Sequence, residues 1–143
     1  MTPVTAPREC SVAAALDVIG EKWSLLVVRE LILGSTKFNE IAANTGAPRD
    51  ILTNRLRRLE ELGVIEREEY SSRPPRYSYG LTKAGRDLRP VVMALKHWGD
   101  THVMGRTMQP VYEHSCGAVF APATHCAACG EKAGGATLTR VTS

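Results

Sequence analysis

The sequence predicts a mainly α fold carrying a small β-wing, a winged helix-turn-helix, and three stretches predict it. Residues 47–62 read APRDILTNRLRRLEEL. On a helix of 3.6 residues per turn they put Leu52, Leu56 and Leu59 on one face, with Ile51 and Leu62 beside them. Asp50, Asn54, Arg57, Arg58 and Glu61 fall on the opposite face, with Arg49 and Thr53 at its edge. A shorter helical pattern precedes this one across Thr45-Gly46-Ala47, and two strand-like runs follow it around a proline turn.

In chain order, residues 1–9 hold two prolines and little apolar content and form a loose arm. Residues 11–19 form a short apolar helix, with Ala14, Leu16, Val18 and Ile19 as candidate buried positions, broken at Gly20. Residues 22–33 form a second, where Trp23, Leu26, Val27, Leu31 and Ile32 keep helical spacing and Gly34 supplies a left-handed cap. Ser35 or Thr36 caps a third helix over 38–44, with Phe38, Ile41 and Ala42 on its apolar side. Pro48 suits a first helical position, where its missing N–H costs nothing. Helix, Gly-bearing turn, and helix with a polar outer face make a helix-turn-helix.

Gly63 stops the fourth helix. Val64, Ile65 and Tyr70 give residues 64–70 strand character, and residues 76–81 alternate through Tyr77, Tyr79 and Leu81. Ser71-Ser72-Arg73-Pro74-Pro75 between them reads as a turn. Thr82 caps a long helix to His102, kinked at Pro90. Its stripe of Leu88, Val91, Val92, Leu95 and Trp98 exceeds what so small a core can cover. With part of the first helix it reads as the seam of a homodimer, packing within one chain being the alternative. The expected organisation is an arm at 1–9, the main domain at 10–104, a linker and Cys/His knuckle at 105–131, and a tail at 132–143.

At 143 residues, with 43% hydrophobic content and a net charge of +3, the chain suits one domain with a small appendage and is no polycation. The charge is uneven: residues 49–58 hold four arginines and one acid, followed by Glu60, Glu61, Glu66, Glu68 and Glu69. A basic stripe on a nearly neutral body suits a helix that enters a groove of double-stranded DNA. Arg bridges guanine O6 and N7, and Asn bridges adenine N6 and N7, which assigns Arg49, Asp50, Thr53, Asn54 and Arg57 to bases or adjacent phosphates. Arg58 and Lys37 go to phosphate, and Arg73 and Arg76 at the wing tip to phosphate or the minor groove. Plain solvation is the competing assignment for these arginines. A two-fold dimer reads an inverted repeat with half-sites about 10 bp apart or a multiple.

No signal pattern and no apolar run of membrane length is present, so a cytoplasmic location is expected. There the four cysteines act as metal ligands or reactive thiols sooner than as disulfides. His114, Cys116, Cys126 and Cys129 are candidate ligands of a structural, zinc-ribbon-like site, Cys126-x-x-Cys129-Gly130 being one half of a zinc knuckle. His125 is a rival ligand, and a Cys126/Cys129 dithiol switch is the rival chemistry. Cys10 is either a small buried residue or a thiolate poised at a helix N-terminus for oxidation. Phosphate-cradling loops, paired acids and nucleophile motifs are lacking, so an enzyme is not expected.

Gly-x-Lys-Trp at residues 20–23, Pro-Pro-Arg-x-x-Tyr at 74–79 and Leu-Thr-x-x-Gly at 81–85, with Cys10 ahead of the first helix, resemble the HxlR-type winged helix-turn-helix regulators. The resemblance spans about residues 10–100. It implies a homodimeric bacterial transcription regulator, a repressor in the first instance, in which Cys10 occupies a position that in some members senses oxidants, quinones or aldehydes. The common Cys-Pro pair is Cys10-Ser11 here. Two other readings stand beside it. One is gating by a small apolar molecule between dimer helices near Trp23, Met93 and Trp98. The other is a protein–protein adaptor that docks through wing and knuckle.

Overall fold

The computed structural model describes residues 7–141. The first six positions of the expected arm and the last two of the expected tail lie outside the described residues. The chain divides into two compact units, Met1–Arg89 and Pro90–Ser143. Among the described residues no helix is long and apolar enough to cross a membrane.

The first unit is built from α1 (Ser11–Ile19), α2 (Lys22–Leu33), α3 (Phe38–Thr45), α4 (Arg49–Glu61), an antiparallel pair β1 (Ile65–Ser72) and β2 (Pro75–Leu81), and the single turn α5 (Lys83–Arg86). Its core is Val27, Val28 and Leu31 of α2, Ile41 of α3, Leu52, Leu56 and Leu59 of α4, and Val64 and Ile65, which enter β1. The expected α4 ridge therefore faces inward. Gly34 ends α2 in the left-handed conformation, as expected, and Gly63, expected to stop the fourth helix, follows α4 in the same conformation. In the turn between α3 and α4, Gly46 at φ 72° lets the chain reverse, and Ala47 is buried behind it.

α1 departs from expectation. Only Ile19 is buried, while Val12 and Leu16 stand 66% and 56% exposed and Ala14 is exposed. The helix lays one end on α2 and leaves the remainder of its apolar surface uncovered within the chain.

The expected cap at Ser35 or Thr36 is also displaced. The N-cap is Lys37, and the Glu40 carboxylate accepts the N–H groups of Thr36 and Lys37, both at 3.2 Å. The displacement has a tertiary cause: Tyr79 donates its N–H to the Thr36 carbonyl at 2.8 Å, and Lys37 bridges Ser78. Residues 36–37 are thus pulled out as a short third strand against β2. Pro48 likewise sits one place early, as the N-cap of α4, whose helix begins at Arg49.

The wing turn is shorter than predicted. Ser71, Ser72 and Pro75 pair within the ladder, Ser72 opposite Pro75, which leaves Arg73-Pro74 as the turn. Pro75 is the first residue of β2, a position where a strand tolerates proline. A bulge at Tyr70 absorbs the register shift between Glu69 and Ser71.

Leu81-Thr82-x-x-Gly85 is a joint. The Thr82 hydroxyl donates toward the carbonyls of Gly63 and Val64 and accepts the Gly85 N–H at 3.2 Å. Gly85 is buried so tightly that a Cβ would overlap the Val64 carbonyl oxygen. Gly85→Ala is expected to lower the unfolding free energy by about 1–3 kcal/mol through overpacking. A thermal or urea melt checks this, and an unchanged midpoint contradicts it.

The long helix expected over 82–102 is broken, not kinked. Pro90 has no N–H to offer the Arg86 carbonyl, and its ring would strike that group. The ladder stops at Asp87–Leu88, with Leu88 donating to Gly85 at 3.1 Å, and Pro90 takes a place in the first turn of α6 (Arg89–Gly99). α6 continues as a π-helical turn, Asp100–Met104, closed by Gly105. The second unit holds nearly all of α6, this turn, and a loop segment with a 3₁₀ turn at Gly135–Thr137.

Candidate nucleic-acid interface

α4 presents its outer face without obstruction. Asp50, Asn54 and Arg57 are exposed, and their side chains make no hydrogen bond or ion pair among the described residues. They project opposite Leu52, Leu56 and Leu59, which are at most 2% exposed. Thr53 is exposed and turns its hydroxyl back to the Arg49 carbonyl at 2.8 Å. Arg58 lies 3.9 Å from Glu61, a loose exposed pair of little energetic weight.

Arg49 is held in place. Its Nη2 donates to Asn39 Oδ1 at 2.8 Å, and its guanidinium lies 4.7 Å from the centre of the Phe38 ring. One side chain of α4 thereby clamps the N-terminal turn of α3. Lys37 is placed similarly, its ammonium 5.0 Å from the Tyr70 ring. Lys37, Arg49 and Arg76 line a cleft of about 650 Å³ between α3 and the wing, walled by Phe38, Tyr70 and Tyr77. Three cations on aromatic walls, against the single carboxylate of Glu40, which the Thr36 and Lys37 N–H groups engage, favour an anionic chain such as a phosphate backbone. Burial pushes the pKa of Tyr79 up, so this wing phenol stays neutral in the same cleft. Arg73 is exposed at the wing tip. Of the nine residues assigned to DNA from the sequence, Lys37, Arg49 and Arg76 converge in this cleft. Asp50, Thr53, Asn54, Arg57 and Arg58 share the outer side of α4, and Arg73 stands apart.

Some supporting residues are not legible from sequence. Arg55, the remaining arginine of the basic run, turns sideways to meet Glu21 Oε1 at 2.8 Å, and its Nε is buried without a partner. Glu30 is 2% exposed. Its carboxylate accepts Arg29 Nε and Asn44 Nδ2, both at 2.9 Å, while Asn44 also donates to Ser35 Oγ at 3.1 Å. This network fixes α3 on α2 and so sets the angle at which the helix pair meets a groove. The signal available beforehand is a glutamate inside an apolar helical run, which calls for a buried partner.

Cys10 is exposed and forms the N-cap of α1, its carbonyl accepting the Ala14 N–H at 3.0 Å. In the second unit two similar turns follow one another. Glu113 bridges Val119 around Cys116-Gly117, and His125 bridges Lys132 around Cys129-Gly130, with both glycines in the left-handed region. Cys126 accepts the N–H groups of Cys129 and Ala128 and the Cys129 thiol, which lower its pKa. His114 Nδ1 accepts the Cys116 N–H at 3.3 Å, and its ring stacks on Phe120. The structure thus pairs Cys126 with Cys129 and His114 with Cys116. Among the described residues it gathers no group of three or more His, Cys, Asp or Glu able to hold a metal. Met93 lines a cleft of the second unit, and Trp98 is exposed.

Two helices across a tight turn, an anchored inner ridge, a free polar outer face and a two-stranded wing with Arg73 and Arg76 at its tip define a winged helix-turn-helix DNA-binding protein. The chain belongs to the HxlR-like helix-turn-helix family, whose model matches residues 18–107. It is 43% identical over 124 residues to an uncharacterized HTH-type transcriptional regulator of Mycobacterium tuberculosis, covering 85% of this chain and 78% of the relative. It is 42% identical over 94 residues to the HTH-type transcriptional regulator YdeP of Bacillus subtilis, covering 65% and 73%. Among solved structures it is similar to PA1607, described as a candidate transcription factor, with a TM-score of 0.74 and 32% identity over 94% of each chain. It is also similar to the redox regulator HypR in its oxidized form, with a TM-score of 0.60 and 39% identity over 65% of this chain and 97% of that one. Its class is therefore that of DNA-binding transcriptional regulators.

Proposed function

We infer that the chain is a homodimeric repressor that reads an inverted-repeat operator through α4 and answers oxidants through Cys10. The observation that carries the DNA reading is the division of α4: a buried leucine ridge on one side, and Asn54 and Arg57 unpaired on the other. Phosphate contacts belong to Lys37, Arg49, Arg58, Arg73 and Arg76, and base contacts to Asp50, Thr53, Asn54 and Arg57, Asp50 accepting from cytosine N4. The dimer reading is supported by apolar surface left open on two helices, Val12 and Leu16 of α1 and Val91, Leu95 and Trp98 of α6, each 47–66% exposed. Footprinting on the DNA upstream of the chain's own gene, with and without diamide, tests the whole. A protected inverted repeat that is released by the oxidant is expected. A salt-insensitive or absent footprint overturns the reading.

The redox reading draws support from the exposure of Cys10 at the N-cap of α1, where an oxidant can reach it. The likeness to a redox regulator adds to it. Cys10→Ser is expected to keep operator affinity and to lose release by diamide or quinone in a mobility-shift assay. Unaltered release removes Cys10 from the role.

The paired Cys-Gly turns support a structural zinc ion held by His114, Cys116, Cys126 and Cys129. Three soft thiolates and an imidazole are an apt donor set. Zinc supplies no chemistry here beyond tying the two turns together. About one zinc per chain is expected in untagged protein, and chelation is expected to lower the melting temperature. Metal-free protein of unchanged stability rejects the site.

A further inference from the structure

α6 and its π-helical extension have two unlike faces. Met93, Lys96, His97 and Asp100 recur at i, i+3, i+4 and i+7 and line a cleft of about 530 Å³. Val91, Leu95 and Trp98 fall on the opposite side and stand exposed. Arg106, Val111, Tyr112, Val119 and Phe120 of the same unit are among the residues that line it opposite α6. Its size lies within the roughly 300–1,000 Å³ of small-molecule sites, and its lining is theirs too, apolar walls with a few convergent polar groups. π-helical turns are rare and gather at functional sites.

The charges in the cleft do not cancel. Lys96 Nζ meets Asp100 Oδ2 at 2.6 Å, and Asp100 Oδ1 accepts the Met108 N–H at 3.2 Å, so this acid and this base satisfy each other. Arg106 makes no hydrogen bond or ion pair, and the His97 ring none, among the described residues. What is left over is positive and lies beside Val111, Val119 and Phe120. A cationic ligand would be repelled, and a wholly apolar one would strip water from the guanidinium and return nothing. A carboxylate matches the planar guanidinium fork.

We propose that this cleft binds a small organic anion with an aromatic body, an aryl carboxylate in its simplest form, with Arg106 taking the carboxylate and Phe120, Val119 and Met93 the ring. Binding stands independently of the dimer. That occupancy alters the opposite face of α6, and so the pairing of two protomers, rests on the dimer reading above and fails with it.

Calorimetric titration of the full chain with 2-naphthoate, against neutral 2-naphthamide, tests the site. One naphthoate per chain is expected, with the amide at least tenfold weaker. Arg106→Gln is expected to abolish that preference without moving the melting temperature, because Arg106 is exposed and unpaired. Equal affinity for acid and amide overturns the proposal, as does absence of naphthoate binding at millimolar concentration. Undiminished binding by the Arg106→Gln variant overturns it too. If the site holds, naphthoate binding with no change in the monomer–dimer balance by sedimentation rejects only the coupling to the dimer.

Discussion

Asn54→Ala with Arg57→Ala is expected to cost about 2–6 kcal/mol of specific operator binding, each good base contact being worth about 1–3 kcal/mol. Both side chains project from the middle of α4, away from the core, and neither is engaged within the described residues. Removing them therefore takes nothing from folding. The melting temperature should hold, while affinity for the operator falls toward that for random DNA. The salt slope of binding should drop by at most about one phosphate contact, because Lys37, Arg49, Arg58, Arg73 and Arg76 remain. Competition binding on operator and scrambled duplexes reads both quantities. Retained preference for the operator would remove α4 as the reading helix.

Leu56→Ala is expected to destabilise the first unit by about 2–5 kcal/mol, the range for a large aliphatic side chain truncated inside a packed core. Leu56 is 2% exposed and lies between Leu52 and Leu59, both wholly buried, on the ridge that seats α4. The resulting void cannot be closed cheaply, since α4 is held at its first turn by Arg49 on Asn39 and along its side by Arg55 on Glu21. Urea unfolding followed by circular dichroism measures the loss. DNA affinity should follow only as far as folded protein is lost. A variant that unfolds at the wild-type urea concentration would show that the ridge is not core.

The contrast between these variants reflects what periodicity conveys. Leu52, Leu56 and Leu59 repeat at helical spacing, and burial needs no partner to be named in advance. Their inward placement, and with it the outward placement of Asn54 and Arg57, was legible in the sequence. So were the left-handed end of α2 at Gly34 and the stop of α4 at Gly63, because glycine after an apolar run serves to end a helix. Less legible were positions whose state depends on a distant neighbour. Ser35 and Thr36 carry good capping side chains, yet pairing of Thr36 with Tyr79 draws the chain on to Lys37 before α3 begins. Leu16 keeps helical spacing and remains exposed, because spacing marks a face and does not say whether the same chain covers it.

By itself the sequence determined the helices and strands from α1 to β2, the amphipathic division of α4 and the polar character of its outer side, because these follow from local geometry and side-chain chemistry. Tertiary structure alone decided which arginines are free. Arg57 reaches solvent, Arg49 is fastened to Asn39 and Phe38, and Arg55 is committed to Glu21. The physical reason is that a charged side chain's role is set by its nearest opposite charge or aromatic face. Here those partners come from other helices, at separations no local pattern encodes.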